Sequence, residues 1–148
     1  MDLIYVMVSG CRHYTSYWQF AKRMDHLLKN FDREKVVLIE GGARGTDYLA
    51  YLYARRRKLA HATYDADWDE HGKSAGYIRN AEMMEIARYG VAFWDGYSRG
   101  TGHVVKEATK YDVSLRVVKI PEENPNGKKR RGNGAWRAKN GRVVPRDR

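Results

Sequence analysis

The chain has a single cysteine, Cys11, among its 148 residues. An internal disulfide is therefore excluded, and no Cys/His cluster has the spacing of a zinc site. The longest apolar runs are too short for a membrane-spanning helix. Residues 1–10, MDLIYVMVSG, lack the basic start and small-residue cleavage site of a secretion signal and read as a first strand. The expectation is a cytoplasmic protein with no membrane partner. Acids are scarce beside bases, 18 Asp+Glu against 28 Lys+Arg, a net charge of +10. Such a surplus invites a nucleic-acid reading, so its distribution matters.

The surplus is uneven. Residues 121–148 hold nine bases and three acids, a local charge of +6 that leaves +4 for the first 120 residues. That segment also contains all three prolines, Pro121, Pro125 and Pro145, and shows no apolar periodicity. Burial cannot offset its ordering entropy, so it reads as a flexible basic tail. It has two readings: a solubilising terminus, or a phosphate-binding arm with Trp136 available to stack on a base.

The body is different. With 43% hydrophobic residues overall, the chain can bury a core. Short apolar, β-branched runs recur at 3–8, 36–39, 62–64, 91–94 and 115–120. Each is nearly continuous rather than alternating, as in strands covered on both faces. Helical spacing fills the intervals. Tyr17, Ala21, Met24 and Leu28 recur at four-three-four, Leu49, Leu52 and Tyr53 share a side, and 75–87 and 103–111 continue the series. The alternation predicts one α/β domain over residues 1–120, a Rossmann-like three-layer sandwich around a mostly parallel sheet of about five strands.

The unusual residues follow strand ends. They are Ser9-Gly10-Cys11-Arg12, then Gly41-Gly42-Ala43-Arg44-Gly45-Thr46-Asp47, then Asp65-Ala66-Asp67-Trp68, then Trp94 to Thr101. In an open parallel sheet ligands bind at that edge. Glycines in the second loop would let backbone N–H groups approach an anion, and Arg44 would meet a phosphate with two donors. Thr46 would cap the next helix or bind a phosphate oxygen. Ser98, Arg99, Gly100 and Thr101 repeat this chemistry before the last helix. Neither loop is a P-loop or a G-x-G-x-x-G turn. Asp47 would bond a ribose hydroxyl or complement its helix dipole. Arg12 would bind phosphate or pair with an acid, and Arg79 and Asn80 would point into a cleft or into solvent. Trp68 and Trp94 would stack on a base or pack in the core. Asp65, Asp67 and Asp69 mimic an EF-hand start, but Glu70 and Gly76 occupy the positions that need glycine and glutamate. The five histidines lack paired metal spacing, so neither a metal nor a cofactor is expected.

Together the loops resemble the SLOG superfamily, which includes the LOG nucleotide phosphoribohydrolases and DNA-processing protein A, and within it the YspA-like, YpsA-related branch. The resemblance rests on Gly10 and Arg12; Gly41, Gly42, Gly45 and Asp47; Ala66-Asp67-Trp68; Gly72-Lys73 through Arg79-Asn80 to Met83; and Phe93-Trp94-Asp95-Gly96, Ser98 and Gly100-Thr101. It implies a nucleotide or nucleotide-derived, ADP-ribose-like ligand on the loop edge, and the residues expected to hold it are Ser9, Gly10, Arg12, Gly41, Gly42, Arg44, Gly45, Thr46, Asp47, Asp67, Trp68, Lys73, Arg79, Asn80, Trp94, Asp95, Ser98, Gly100 and Thr101. LOG hydrolases carry G-G-x-G-T-x-x-E, and the glutamate's position is Leu49 after Thr46 and Val104 after Thr101. Asp47, Asp67, Asp95 and Glu107 are the remaining candidate bases. Three functions are thus expected in order: a sensor or sequestering module, a hydrolase of an N-glycosidic or phosphoester bond, and a DNA- or RNA-binding protein using the tail. Relatives in this superfamily often pair, which implies a homo-oligomer.

Overall fold

The computed structural model describes residues 2–123, so all but the first three positions of the basic segment lie outside the described residues. Ten elements follow one another: β1 (Ile4–Gly10), α1 (Tyr17–Leu28), β2 (Val36–Glu40), α2 (Thr46–Arg57), β3 (Ala60–Thr63), α3 (Trp68–His71), α4 (Ala75–Ile86), β4 (Tyr89–Trp94), α5 (Arg99–Glu107) and β5 (Ser114–Lys119). The five strands form one sheet in the order β3-β2-β1-β4-β5, and every pairing is parallel. This is the expected α/β fold.

The continuous apolar strands explain the layers. Along β1, Val6 and Val8 face one cluster and Met7 the other, and β2 divides Val36 and Leu38 from Val37 and Ile39 in the same way. Phe20 and Met24 of α1, with Leu49 and Tyr53 of α2, cover the first face. Met83 and Met84 of α4, with Val104 of α5, cover the second. Right-handed crossovers on either side of β1 require this division of helices between faces. Phe20 and Phe93, 4.8 Å between ring centroids, lie at the centre of the first cluster.

Several boundaries depart from the sequence pattern: β1 runs on through Ser9 and Gly10, β4 begins two residues early at Tyr89, and two further departures have a physical reason. The last helix begins at Arg99, four residues before the expected His103, because Gly100 and Gly102 are helical despite their low propensity. Gly102 eases the packing there: an added Cβ would lie 3.1 Å from the Trp94 ring, which would have to give by a few tenths of an ångström. The edge strand β3 starts at Ala60 and is only half covered, which weakens its apolar signature.

Candidate functional site

The strand order reverses between β1 and β4. From β1 the chain passes to α1 on one face, and from β4 it passes to α5 on the other, so a crevice opens above the two carboxyl ends. A cavity of about 470 Å³ occupies it. Ser9, Gly10, Arg12, Arg44, Asp47, Trp68, Lys73, Arg79, Asn80, Asp95, Ser98, Gly100 and Thr101 all line it. A second cavity of about 470 Å³ adjoins it, adding Gly41 and Gly42 and sharing Arg12, Arg44, Trp68 and Arg79. The four strand-end segments singled out in the sequence each contribute lining residues to these adjoining cavities.

Four expected site residues line neither cavity, and each has another task. Thr46 is fully buried, and both its N–H and its Oγ1–H donate to the Cys11 carbonyl, at 3.2 and 2.9 Å. It does not cap α2 either, since Gly45 holds the N-cap position. Thr46 instead clamps the β2–α2 loop onto the β1–α1 loop. Gly45 makes that clamp feasible: its φ is +76°, and an added Cβ would collide with the Arg12 backbone. Asp67 caps α3, accepting from the Glu70 N–H at 3.1 Å. Trp94 is buried and donates from Nε1 to the Ser98 carbonyl at 2.9 Å, so it shapes the start of α5 from below and offers no face to a base.

Arg79 organises the loop after β2. Its Nη1 donates to the Gly41 carbonyl and, at 3.5 Å, to that of Tyr64, while Nε donates to Asn80 Oδ1 at 3.0 Å. The guanidinium lies so close over Gly41 that a Cβ there would overlap it. Asn80, buried, reaches from α4 to α5 by donating to the Gly100 carbonyl at 3.4 Å. Arg79 is thus fixed before any ligand arrives, and its pKa is pulled down by burial.

Two buried carboxylates flank this arginine. Asp47 Oδ2 accepts from the Gly41 and Ala43 N–H groups, both at 3.2 Å. Burial pushes its pKa up to about 7, with Glu40 adding to the rise and the Ala43 N–H and Arg79 opposing it. Glu40 accepts from the Gly42 N–H at 2.6 Å, from His61 Nε2 at 2.8 Å and from Thr63 Oγ1. On the other side of the cavity Asp95 Oδ1 accepts from the Tyr97 and Ser98 N–H groups, at 2.8 and 2.9 Å. Cys11 lies against Asp95, and burial, reinforced by that negative charge, pushes the thiol up to about 12.

The rim is cationic and aromatic. Arg12, Arg44 and Lys73 are exposed, and none has a hydrogen-bond or ion-pair partner among the described residues. Trp68 and Tyr77 are half exposed, at 51% and 43%, and both line the cavity. Tyr77 was not singled out by motif. It lies four residues after Lys73 and three before Asn80, so helical spacing carries its signal. Its ring also lies tilted against that of His103, with centroids 4.4 Å apart, and burial lowers the His103 pKa. His13 and Glu123 line the cavity as well, with no pattern in the sequence to mark them. The arrangement can hold an anionic group against Arg79 and the start of α5 while a planar group meets an aromatic ring. No helix among the described residues is long and apolar enough to cross a membrane.

Comparison with known proteins bears on the family and the fold. Residues 4–71 match the sequence model of the YspA, cpYpsA-related SLOG family. The Gene 61 protein of Mycobacterium phage D29 is 41% identical over 86 residues, which covers 54% of this chain and 69% of that protein. DNA processing protein A from Streptococcus pneumoniae superposes with a TM-score of 0.63 at 15% identity, over 80% of this chain. The chain spans about half, 51%, of that protein's length. DNA processing protein A from Helicobacter pylori, described for its single-stranded DNA binding mode, gives a TM-score of 0.65 at 16% identity over 98% of this chain and 75% of its own. The distant structures share the fold, and the family match together with the phage relative assigns the sequence: the chain belongs to the YspA, cpYpsA-related SLOG family.

Proposed function

We propose that this protein binds a nucleotide or nucleotide-derived, ADP-ribose-like ligand in the crevice above β1 and β4, acting in the cytoplasm as a sensor or sequestering module. One observation carries the reading. Three exposed cations without described partners, Arg12, Arg44 and Lys73, ring a cavity of about 470 Å³ whose rim also presents Trp68 and Tyr77. Phosphates would meet the cations and the N–H groups at the start of α5, and a base would lie on an aromatic ring. Asp47, which lines the cavity, would accept a hydrogen bond from a ribose hydroxyl or, were the ligand turned over, would be a candidate base.

The test is calorimetric titration of the full-length protein with ADP-ribose, NAD and nucleoside monophosphates, followed by mass analysis of the mixtures. Saturable binding without a change of mass is expected. Arg44→Ala should weaken it about tenfold, the loss of one charge-assisted contact. Absence of binding across the panel, with no nucleotide retained on purification, would refute the reading. Products in the mixtures would replace the sensor by the hydrolase.

A second reading, single-stranded nucleic acid, draws on the half-exposed Trp68 beside Arg12 and Arg44. Stacking next to cations is the chemistry of such binders, and the Helicobacter pylori structure concerns that activity. It requires affinity that falls steeply with salt, and loss of that affinity when residues 121–148 are removed would place the contact in the tail. Native mass measurement in the same experiments reads the expected homo-oligomer.

A further inference from the structure

The β1 end brings Cys11 and His13 beside Asp95 at the β4 end, and one donor atom from each lies within 4.8 Å of the other two. We propose that these three residues form a site for a borderline divalent cation of the zinc type, with the remaining coordination position open to the cavity. This goes beyond the nucleotide reading and does not depend on it.

The donor set is the first argument. Thiolate, imidazole and carboxylate are the three ligand types that zinc accepts, and three protein ligands with one open position is the arrangement of sites that do chemistry. The cluster is not an exposed patch of acids: Cys11 and Asp95 are 1% and 3% exposed. A thiolate and a carboxylate would together balance the two positive charges of the ion.

The bonds around each donor are the second. His13 Nε2 lies 2.9 Å from the Pro121 carbonyl, which can only accept, so Nε2 carries a proton and Nδ1 is the nitrogen left for a metal. Metal-bound histidines are oriented by this same contact, a ring N–H donated to a backbone carbonyl. Asp95 is fixed through Oδ1 by the Tyr97 and Ser98 N–H groups, as ligating carboxylates commonly are. The Cys11 backbone is held by its N–H on the Phe93 carbonyl at 3.0 Å and by Thr46 on its own carbonyl. Donors around tetrahedral zinc lie about 3.5 Å apart, so closing this triangle needs movements under about 1 Å. Coordination breaks the Cys11 S–H bond, and the proton leaves to solvent as the sulfur–metal bond forms. All three residues line the cavity, so the open position would meet a water or a phosphate oxygen there.

The experiment is titration of untagged, chelator-treated full-length protein with Co²⁺, followed by competition with Zn²⁺. One equivalent should give a thiolate-to-cobalt charge-transfer band with the visible absorption of a four-coordinate ion, and Zn²⁺ should remove both. Cys11→Ser should abolish the charge-transfer band. His13→Gln, on a partly exposed side chain, should weaken binding about tenfold or more, at least what loss of an outer-shell partner costs. His26→Gln, in α1, should change nothing. Circular dichroism in chelator verifies that the variants fold, and His13→Gln keeps the test valid should the Cys11 variant unfold. Wild-type titration without the charge-transfer band, or an unchanged affinity in His13→Gln, would overturn the site.

Discussion

Asp47→Asn should change how the stability of this protein depends on pH. The Asp47 carboxyl loses its proton at 3.8 when the chain is unfolded and at about 7 when it is folded, chiefly because it is buried. Between those values the folded state holds a proton that the unfolded state has released. Stability therefore falls as pH rises through this window and levels off above about pH 8. Each pH unit inside the window is worth about 1.4 kcal/mol, and the rounded ends leave roughly 2.5 kcal/mol between pH 5 and pH 8. His103 works in the opposite direction. Its pKa is lowered by burial, so it takes stability away as pH falls through the ordinary histidine range. The wild-type curve alone mixes the two, and the difference between wild type and Asp47→Asn isolates the carboxyl.

Urea unfolding at half-unit steps from pH 5 to pH 8 makes the measurement. The advantage of wild type over Asp47→Asn should shrink by roughly 2.5 kcal/mol across that range, about 1 M in urea midpoint for a domain of this size. An asparagine oxygen can still accept from the Gly41 and Ala43 N–H groups, so the loop geometry is kept. A difference that stays constant with pH, or that grows, would refute the placement of a buried, proton-holding carboxyl at the start of α2.

Two further substitutions separate the ligand contacts from the scaffold beneath them. Gly41→Ala would press a methyl group into the Arg79 guanidinium, whose flexible end would swing off the Gly41 carbonyl; calorimetry should show ligand affinity down at least tenfold, with thermal stability reduced by only about 1–2 kcal/mol. Thr46→Val keeps the shape but removes the Oγ1–H donor to Cys11; it should cost about 1–2 kcal/mol in urea unfolding and leave affinity nearly unchanged, and a large loss of affinity would show that Thr46 reaches the ligand after all.

How much of this was legible beforehand follows from what each residue's signal depends on. The layers were readable because β1 and β2 are buried on both faces, so Val6, Met7 and Val8 could all be apolar without alternation. The half-covered β3, with His61 and Thr63 turned to Glu40, sends no such signal, and its start was misplaced. The loops were readable because glycine and arginine clustered where a parallel sheet ends. Roles within a loop were not. Thr46 and Ser9 look alike as small polar residues after a strand, yet only the packing of one loop on another turns the Thr46 hydroxyl down onto Cys11 and leaves Ser9 on the cavity.

The arginines show why charge had to be placed before it could be interpreted. Arg79 and Arg44 are equal contributors to the net charge, but they differ in what a phosphate would find. Arg79 is committed to the Gly41 and Tyr64 carbonyls, so its guanidinium is pre-positioned, and it loses little freedom when an anion arrives. Arg44 and Arg12 are exposed and would have to be ordered by a ligand, so part of any contact they made would be spent on side-chain entropy. A site built this way divides its labour. The interior arginine, tied to the β2 and β3 loops, would set where a bound anion sits, and the rim arginines would add attraction that salt screens. Affinity lost at high ionic strength should therefore come from Arg12 and Arg44, while selectivity among anions of equal charge should follow Arg79 and the glycine beneath it.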